Sequence, residues 1–141
     1  MLSLRVETCI EKVLIMEKIV IEPTNETPKV VLDKENSVFE FSGNSLPEDV
    51  STFFCPILSW FDEYAKAPNK TTKVNFNFEY YNTSSSKMIL KLLEKFRDIH
   101  RNGFEVEVNW HYLEDDEDMI EAGEDYSENI KVPFKFIAHS K

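Results

Sequence analysis

Residues 74–99 constrain the fold of this 141-residue chain more than any other stretch. Val74, Phe76, Phe78 and Tyr80 alternate with Asn75, Asn77, Glu79 and Tyr81, the period of a half-buried strand. Met88, Ile89, Leu92, Leu93, Phe96 and Ile99 then recur at helical spacing. Between the two patterns stand Asn82, Thr83, Ser84, Ser85 and Ser86, so strand passes into helix through a run of hydroxyls. Phe104, Val106, Val108, Trp110 and Tyr112 alternate again beyond the helix. A helical connection between two strands of one sheet makes a right-handed parallel crossover, which places a mixed sheet with packed helices at the centre of the fold.

The hydroxyl run admits two readings. The first backbone N–H groups of a helix lack intrahelical partners and carry partial positive charge, so an oxygen or a phosphate is favoured there. Asn, Ser and Thr are ordinary N-cap residues, and one of them suffices for a cap. Four consecutive hydroxyls also offer an acceptor for phosphate, which would add about −1.5 to −2 charges, with Lys87 a turn away as its partner. Tyr81 falls on the face opposite Phe78 and Tyr80, two residues from Thr83, and is the better surface aromatic. Trp110 and Tyr112 share the face of Val106 and Val108 and are expected in the core.

Upstream, Lys18–Ile21, Lys29–Leu32 and Val38–Phe41 read as a three-strand meander, with turns at Pro23–Pro28 and Asp33–Asn36. Ser45 and Glu48 stand in capping-box register, with Pro47 in the first turn of a helix striped by Val50, Phe53, Phe54, Ile57, Leu58, Phe61 and Tyr64. Pro56 predicts a kink or break near Thr52–Cys55, and Cys55 reads as a small core residue. Asn102-Gly103 closes the central helix, an acidic helix is expected over 115–128, and Pro133–Phe136 supplies an edge strand. The expected fold is α/β, about six strands in a mixed sheet with about three helices packed on it. Residues 16–141 are expected to form one domain, because a chain of this size with 42% hydrophobic residues supports one core. Residues 1–15 read as an N-terminal extension with no function assigned.

Several functional classes are disfavoured. A net charge of −10 repels nucleic acid and anionic membrane, and no apolar run reaches the length of a membrane span. Cys9 and Cys55 form no C-x-x-C pair, which fits a reducing cytoplasm. From Phe104 to Ile130 there is no Lys or Arg but eleven acidic residues, a segment that suits a solvated helix face or a docking surface better than a metal site, because its spacing fails the calcium-loop pattern. His100, His111 and His139 are scattered over different elements, no catalytic triad order stands out, and the three glycines form no phosphate-cradling loop. No enzymatic site, metal or cofactor is expected.

The run Tyr81-Asn82-Thr83-Ser84-Ser85, the earlier Gly43-x-Ser45-x-Pro47-Glu48, and the later Val108-x-Trp110-x-Tyr112 and Glu121-x-Gly123-Glu124-Asp125-Tyr126 together resemble the SiaC family of bacterial regulatory phosphoproteins, over roughly Met16 to the C-terminus. The resemblance implies a cytoplasmic, STAS-like domain similar to anti-sigma factor antagonists, with Thr83 as the phosphorylated residue and Asn82, Ser84, Ser85 and Lys87 around it. It implies that the unphosphorylated form binds and activates a diguanylate cyclase in cyclic-di-GMP signalling, with control of biofilm or surface growth. A protein kinase and a PP2C-type phosphatase would set the phosphorylation level. Tyr81, Ser45, Pro47, Glu48, Glu121 and Asp125 are the partner-binding candidates. The chain departs from the family's usual Ser-Tyr-Pro-Glu-Asn pattern at Leu46 and Asp49, so a partner touching that loop would meet a different surface. Two other classes stay open: an anti-sigma antagonist in a partner-switching circuit, and a small enzyme or metal-binding protein that uses the acidic segment.

Overall fold

The computed structural model describes residues 16–141; the N-terminal extension lies outside the described residues. The elements in chain order are β1 (Ile19–Ile21), β2 (Lys29–Asp33), β3 (Val38–Ser45), α1 (Val50–Tyr64), β4 (Thr71–Tyr81), α2 (Thr83–Arg101), β5 (Glu105–Leu113), α3 (Glu117–Ile130) and β6 (Phe134–His139). The six strands lie side by side in sequence order. β1, β2 and β3 pair antiparallel, as the short turns between them allow, whereas β3 to β6 pair parallel through the three helices. This is the expected mixed sheet with three helices among the described residues.

Register explains why one sheet face is dry. Leu32, Phe39, Val74 and Val108 line up across four strands, as do Val30, Phe41, Phe76 and Trp110, and all eight are buried. Phe54, Ile57, Phe61 and Tyr64 of α1 and Ile89, Leu92, Leu93, Phe96 and Ile99 of α2 close over them in a single core. The other face carries Val31, Glu40, Asn75, Asn109 and Lys135 in the equivalent row, and no described helix covers it. None of the described helices is long and apolar enough to cross a membrane.

Five local expectations are corrected. β3 runs to Ser45 rather than stopping at Phe41, because β4 continues beside it and supplies a parallel ladder as far as Tyr81. Ser45 is therefore the last residue of a strand and not a helix cap; α1 is capped by Asp49, whose carboxylate accepts from the Thr52 N–H at 3.2 Å and the Thr52 hydroxyl at 2.7 Å. An Asp caps as well as an Asn, so the departure at Asp49 keeps the helix start intact. α1 is unbroken at Pro56, which sits on the exposed side, where the carbonyl it deprives of an amide is that of exposed Thr52. Cys55 is exposed, one position past the inward stripe of Phe54, Ile57 and Phe61. The acidic helix starts two residues later than expected and ends at Ile130, where Lys131 turns left-handed at φ 58°.

Candidate functional site

The end of β4 is irregular, and that irregularity reassigns two tyrosines. Gly43 pairs with Phe78, but the next residue, Asn44, pairs with Tyr80, so Glu79 is left without a partner as a β-bulge. Gly43 takes φ 97°, a conformation that disfavours a side chain, opposite the bulge. The extra residue flips the inside–outside alternation by one. Tyr80 consequently turns outward and Tyr81 inward, where its ring meets Phe78 at 5.6 Å and Trp110 at 6.5 Å. Tyr81 is thus half-buried and Tyr80 is the surface aromatic, the reverse of the period-two expectation.

Asn82 follows in extended conformation and caps α2. Its side-chain oxygen accepts from the Ser85 N–H at 2.9 Å, while its own N–H donates to the Ser45 carbonyl at 3.1 Å. The four hydroxyls then part ways. Ser85 is fully buried, its Oγ 2.8 Å from that of buried Ser45, so the ends of β3 and α2 are tied by a side-chain bond as well as a backbone one. The Ser86 hydroxyl donates to the Thr83 carbonyl at 2.7 Å. Thr83 and Ser84 alone face solvent. Lys87 is exposed one turn along from Thr83 and makes no ion pair with a described residue.

α3 buttresses this start. Gly123 lies against Trp110 so closely that a Cβ would sit 2.5 Å from the indole Cδ1 and 2.9 Å from Phe136, so no larger residue fits without a shift. The Trp110 Nε1–H donates to the Met119 carbonyl at 2.9 Å, which pins the same helix to the same ring. Tyr126 then reaches α2, its hydroxyl donating to the Ser86 carbonyl at 2.8 Å and bonded to the Tyr81 hydroxyl. Burial pushes both phenols above their ordinary range, with Asp116 and Asp125 adding to the effect at Tyr81, so both stay protonated donors. Periodicity gives Tyr126 no role; its sequence signal is its place in the Glu121-x-Gly123-Glu124-Asp125-Tyr126 run.

The remaining candidates fall into two groups. Pro47 is buried in the β3–α1 connection and Glu48 is exposed beside it, while Glu121 and Asp125 are exposed on α3. The structure gathers Ser45, Tyr81, Asn82 and Ser85 into one contact set, buries Pro47 apart from it, and leaves Thr83, Ser84, Lys87, Glu48, Glu121 and Asp125 on the surface. His111 and His139 are not scattered: parallel pairing of β5 with β6 brings the His111 Nδ1 to 2.8 Å from the His139 Nε2, and the His111 Nε2 meets the Asn75 Oδ1 at 2.9 Å. Among the described residues no group of three or more His, Cys, Asp or Glu is arranged to hold a metal.

Charge separates α2 from its neighbours. α1 begins on the carboxylate of Asp49, and α3 on Asp116 followed by Glu117 and Asp118. α2 begins on neutral Asn82 with no acidic residue in its first turn. Its N-terminal partial charge is therefore not compensated by a carboxylate of its own cap or first turn, where the Thr83 and Ser84 hydroxyls stand.

Fold and site together define a small α/β domain with its helices on one face of a mixed sheet and exposed hydroxyls at the start of its crossover helix. The chain belongs to the SiaC family of regulatory phosphoproteins, whose family model matches residues 21–139. It is 26% identical over 126 residues to an uncharacterized protein of Pseudomonas aeruginosa strain UCBPP-PA14, covering 89% of this chain and 100% of that protein. It is similar to the structure of SiaC of Pseudomonas aeruginosa, with TM-score 0.81, 26% identity, and coverage of 88% of this chain and 100% of that one. A crystal structure of the diguanylate cyclase SiaD in complex with its activator SiaC from Pseudomonas aeruginosa matches with TM-score 0.80 and 27% identity, over 86% of this chain and 99% of that one.

Proposed function

We propose that this chain is a non-enzymatic, cytoplasmic regulator that binds and activates a diguanylate cyclase, and that phosphorylation of Thr83 controls the binding. The observation that carries the reading is the placement of Thr83: exposed, first in a helix whose start carries no charge, on a domain similar to one seen bound to a cyclase. A phosphate there would bring to the start of α2 the negative charge that carboxylates bring to the starts of α1 and α3, with Lys87 at the i+4 position to meet it. Ser85 is excluded as acceptor by its burial, and Asn82 and Ser85 serve to hold the helix start in place.

The energetic requirement is modest, since a hundredfold change in affinity needs about 2.7 kcal/mol. A dianion caught under a partner with no counter-charge costs several kcal/mol, so one phosphate suffices to release the effector. A protein kinase and a PP2C-type phosphatase would set the level. The effector would cover the first turn of α2 and neighbouring parts of the surface, Glu48, Glu121 and Asp125 among them.

The test is phosphosite mapping on the chain isolated from its native cells, joined to calorimetric binding of a diguanylate cyclase by the wild type and by Thr83→Glu. Phosphate on Thr83, and at least tenfold weaker cyclase binding by Thr83→Glu, are expected. Full recovery of the unmodified peptide under every growth condition, or equal binding by both forms, overturns the reading.

A further inference from the structure

A crevice of about 410 Å³ opens between the end of β4 and the first two turns of α3. Glu79, Tyr80, Tyr81, Asp116 and Asp118 line it together with the apolar Met119 and Ala122. The bulge at Glu79 makes it, by turning Tyr80 away from the core. At 55% Tyr80 is the most exposed of the large hydrophobic side chains among the described residues. Glu79, Asp116 and Asp118 make no ion pair with a described residue. An outward aromatic ring, the carboxylates of Glu79 and Asp118, the remaining oxygen of Asp116, whose Oδ1 accepts from the Met119 N–H, and two apolar side chains thus stand together with no ion pair to a described residue.

We propose that this crevice receives an arginine side chain of the effector protein, its guanidinium laid on the Tyr80 ring and its N–H groups donating to the carboxylates. The chemistry favours arginine over lysine, because a planar, weakly hydrated guanidinium stacks on an aromatic ring and offers several donors at once. Met119 and Ala122 exclude water from one side, which strengthens the charge-assisted bonds. An aromatic–arginine contact of this kind is a frequent anchor of protein interfaces. The inference rests on the proposed effector binding and names its anchor. Tyr80 precedes Thr83 by three residues, so an effector seated here covers the first turn of α2, and a phosphate on Thr83 would be trapped beneath it.

The site is tested first without an effector. The full chain, labelled with nitrogen-15, is titrated with the capped tripeptide acetyl-Gly-Arg-Gly-amide and with the same peptide carrying uncharged citrulline. Saturable shifts at the amides of Tyr80, Asp118 and Met119 are expected, about tenfold weaker for citrulline and for Tyr80→Ala, and weaker again at high salt. Equal response to both peptides, or an unchanged response in Tyr80→Ala, overturns the site. The second arm measures binding of a diguanylate cyclase: a loss of about tenfold in Tyr80→Ala, with an unchanged circular dichroism spectrum, supports the anchor, and equal binding overturns it. A wild-type chain that binds no cyclase counts against the effector reading alone, because the peptide arm decides the arginine site by itself.

Discussion

α2 and α3 pack on the same face of the sheet and are each capped by an Asx side chain that accepts from the backbone N–H three residues on, yet their starts differ in charge. α3 carries Asp116, Glu117 and Asp118, permanent anions at the positive end of its dipole. The start of α2 carries Asn82, Thr83, Ser84 and Ser85, and no acidic residue in its first turn. The first start has carboxylates of its own at the positive end of the helix, whereas the second is held in place by hydrogen bonds of neutral side chains. A helix start whose geometry is fixed independently of its charge can gain or lose a phosphate without unfolding, which is the property a reversible switch requires.

The difference can be broken from the α3 side by Gly123→Ala. The added methyl meets buried Trp110, and overpacking of this kind outweighs the gain in helix propensity, so a loss of about 2 kcal/mol is expected in urea denaturation. By contrast Ser84→Ala, at an exposed position of α2, should change stability by less than about 0.5 kcal/mol. Ser85→Ala strands the buried Ser45 hydroxyl and should cost about 1.5 kcal/mol, while the double change with Ser45→Ala recovers part of that loss, because no unpaired hydroxyl is then left.

Charge substitutions sharpen the comparison with opposite signs. Asn82→Asp should stabilise the unmodified protein by about 0.5 kcal/mol, and Asp116→Asn should destabilise it by about the same amount, both effects fading in 1 M salt. If Asn82→Asp has no effect, α2 is not short of negative charge and the electrostatic distinction between the two helices falls.

A smaller effect tests the far face of the sheet. Burial, with the neighbouring His139 adding to it, holds the His111 pKa below its ordinary value, against a lesser opposing pull from Glu40. At His111 the unfolded chain then binds more protons than the folded one as pH falls below about 6.5, so stability is lost in that direction. His139→Gln should make the acid limb of the stability profile shallower, burial of His111 keeping the rest, without altering the response of α2 to Asn82→Asp.

Periodicity made the central crossover legible. The two strand patterns around α2 and the stripe from Met88 to Ile99 found the elements, their order and the core residues, because those signals depend only on which side of a strand or helix meets the core. The same logic failed within a few residues at Tyr80 and Tyr81. Period two assumes an uninterrupted ladder, and the bulge opposite Gly43 inserts one residue into β4. Ser45 reads as a helix cap for a related reason: its spacing to Glu48 fits a capping box, but the length of β3 is decided by β4 beside it. The roles of Tyr126, Gly123 and the His111–His139 pair were likewise out of reach, since each depends on a neighbour far away in the chain.

By itself, then, the amino-acid sequence determined the alternation of strands and helices, the mixed sheet, and an uncharged hydroxyl run at the head of one helix. These are consequences of local spacing and local chemistry. Tertiary structure alone decided which hydroxyls reach solvent, which tyrosine faces outward, and which buried contacts hold the start of α2. Those outcomes follow from register and close packing, where one inserted residue or one missing Cβ redirects every side chain nearby.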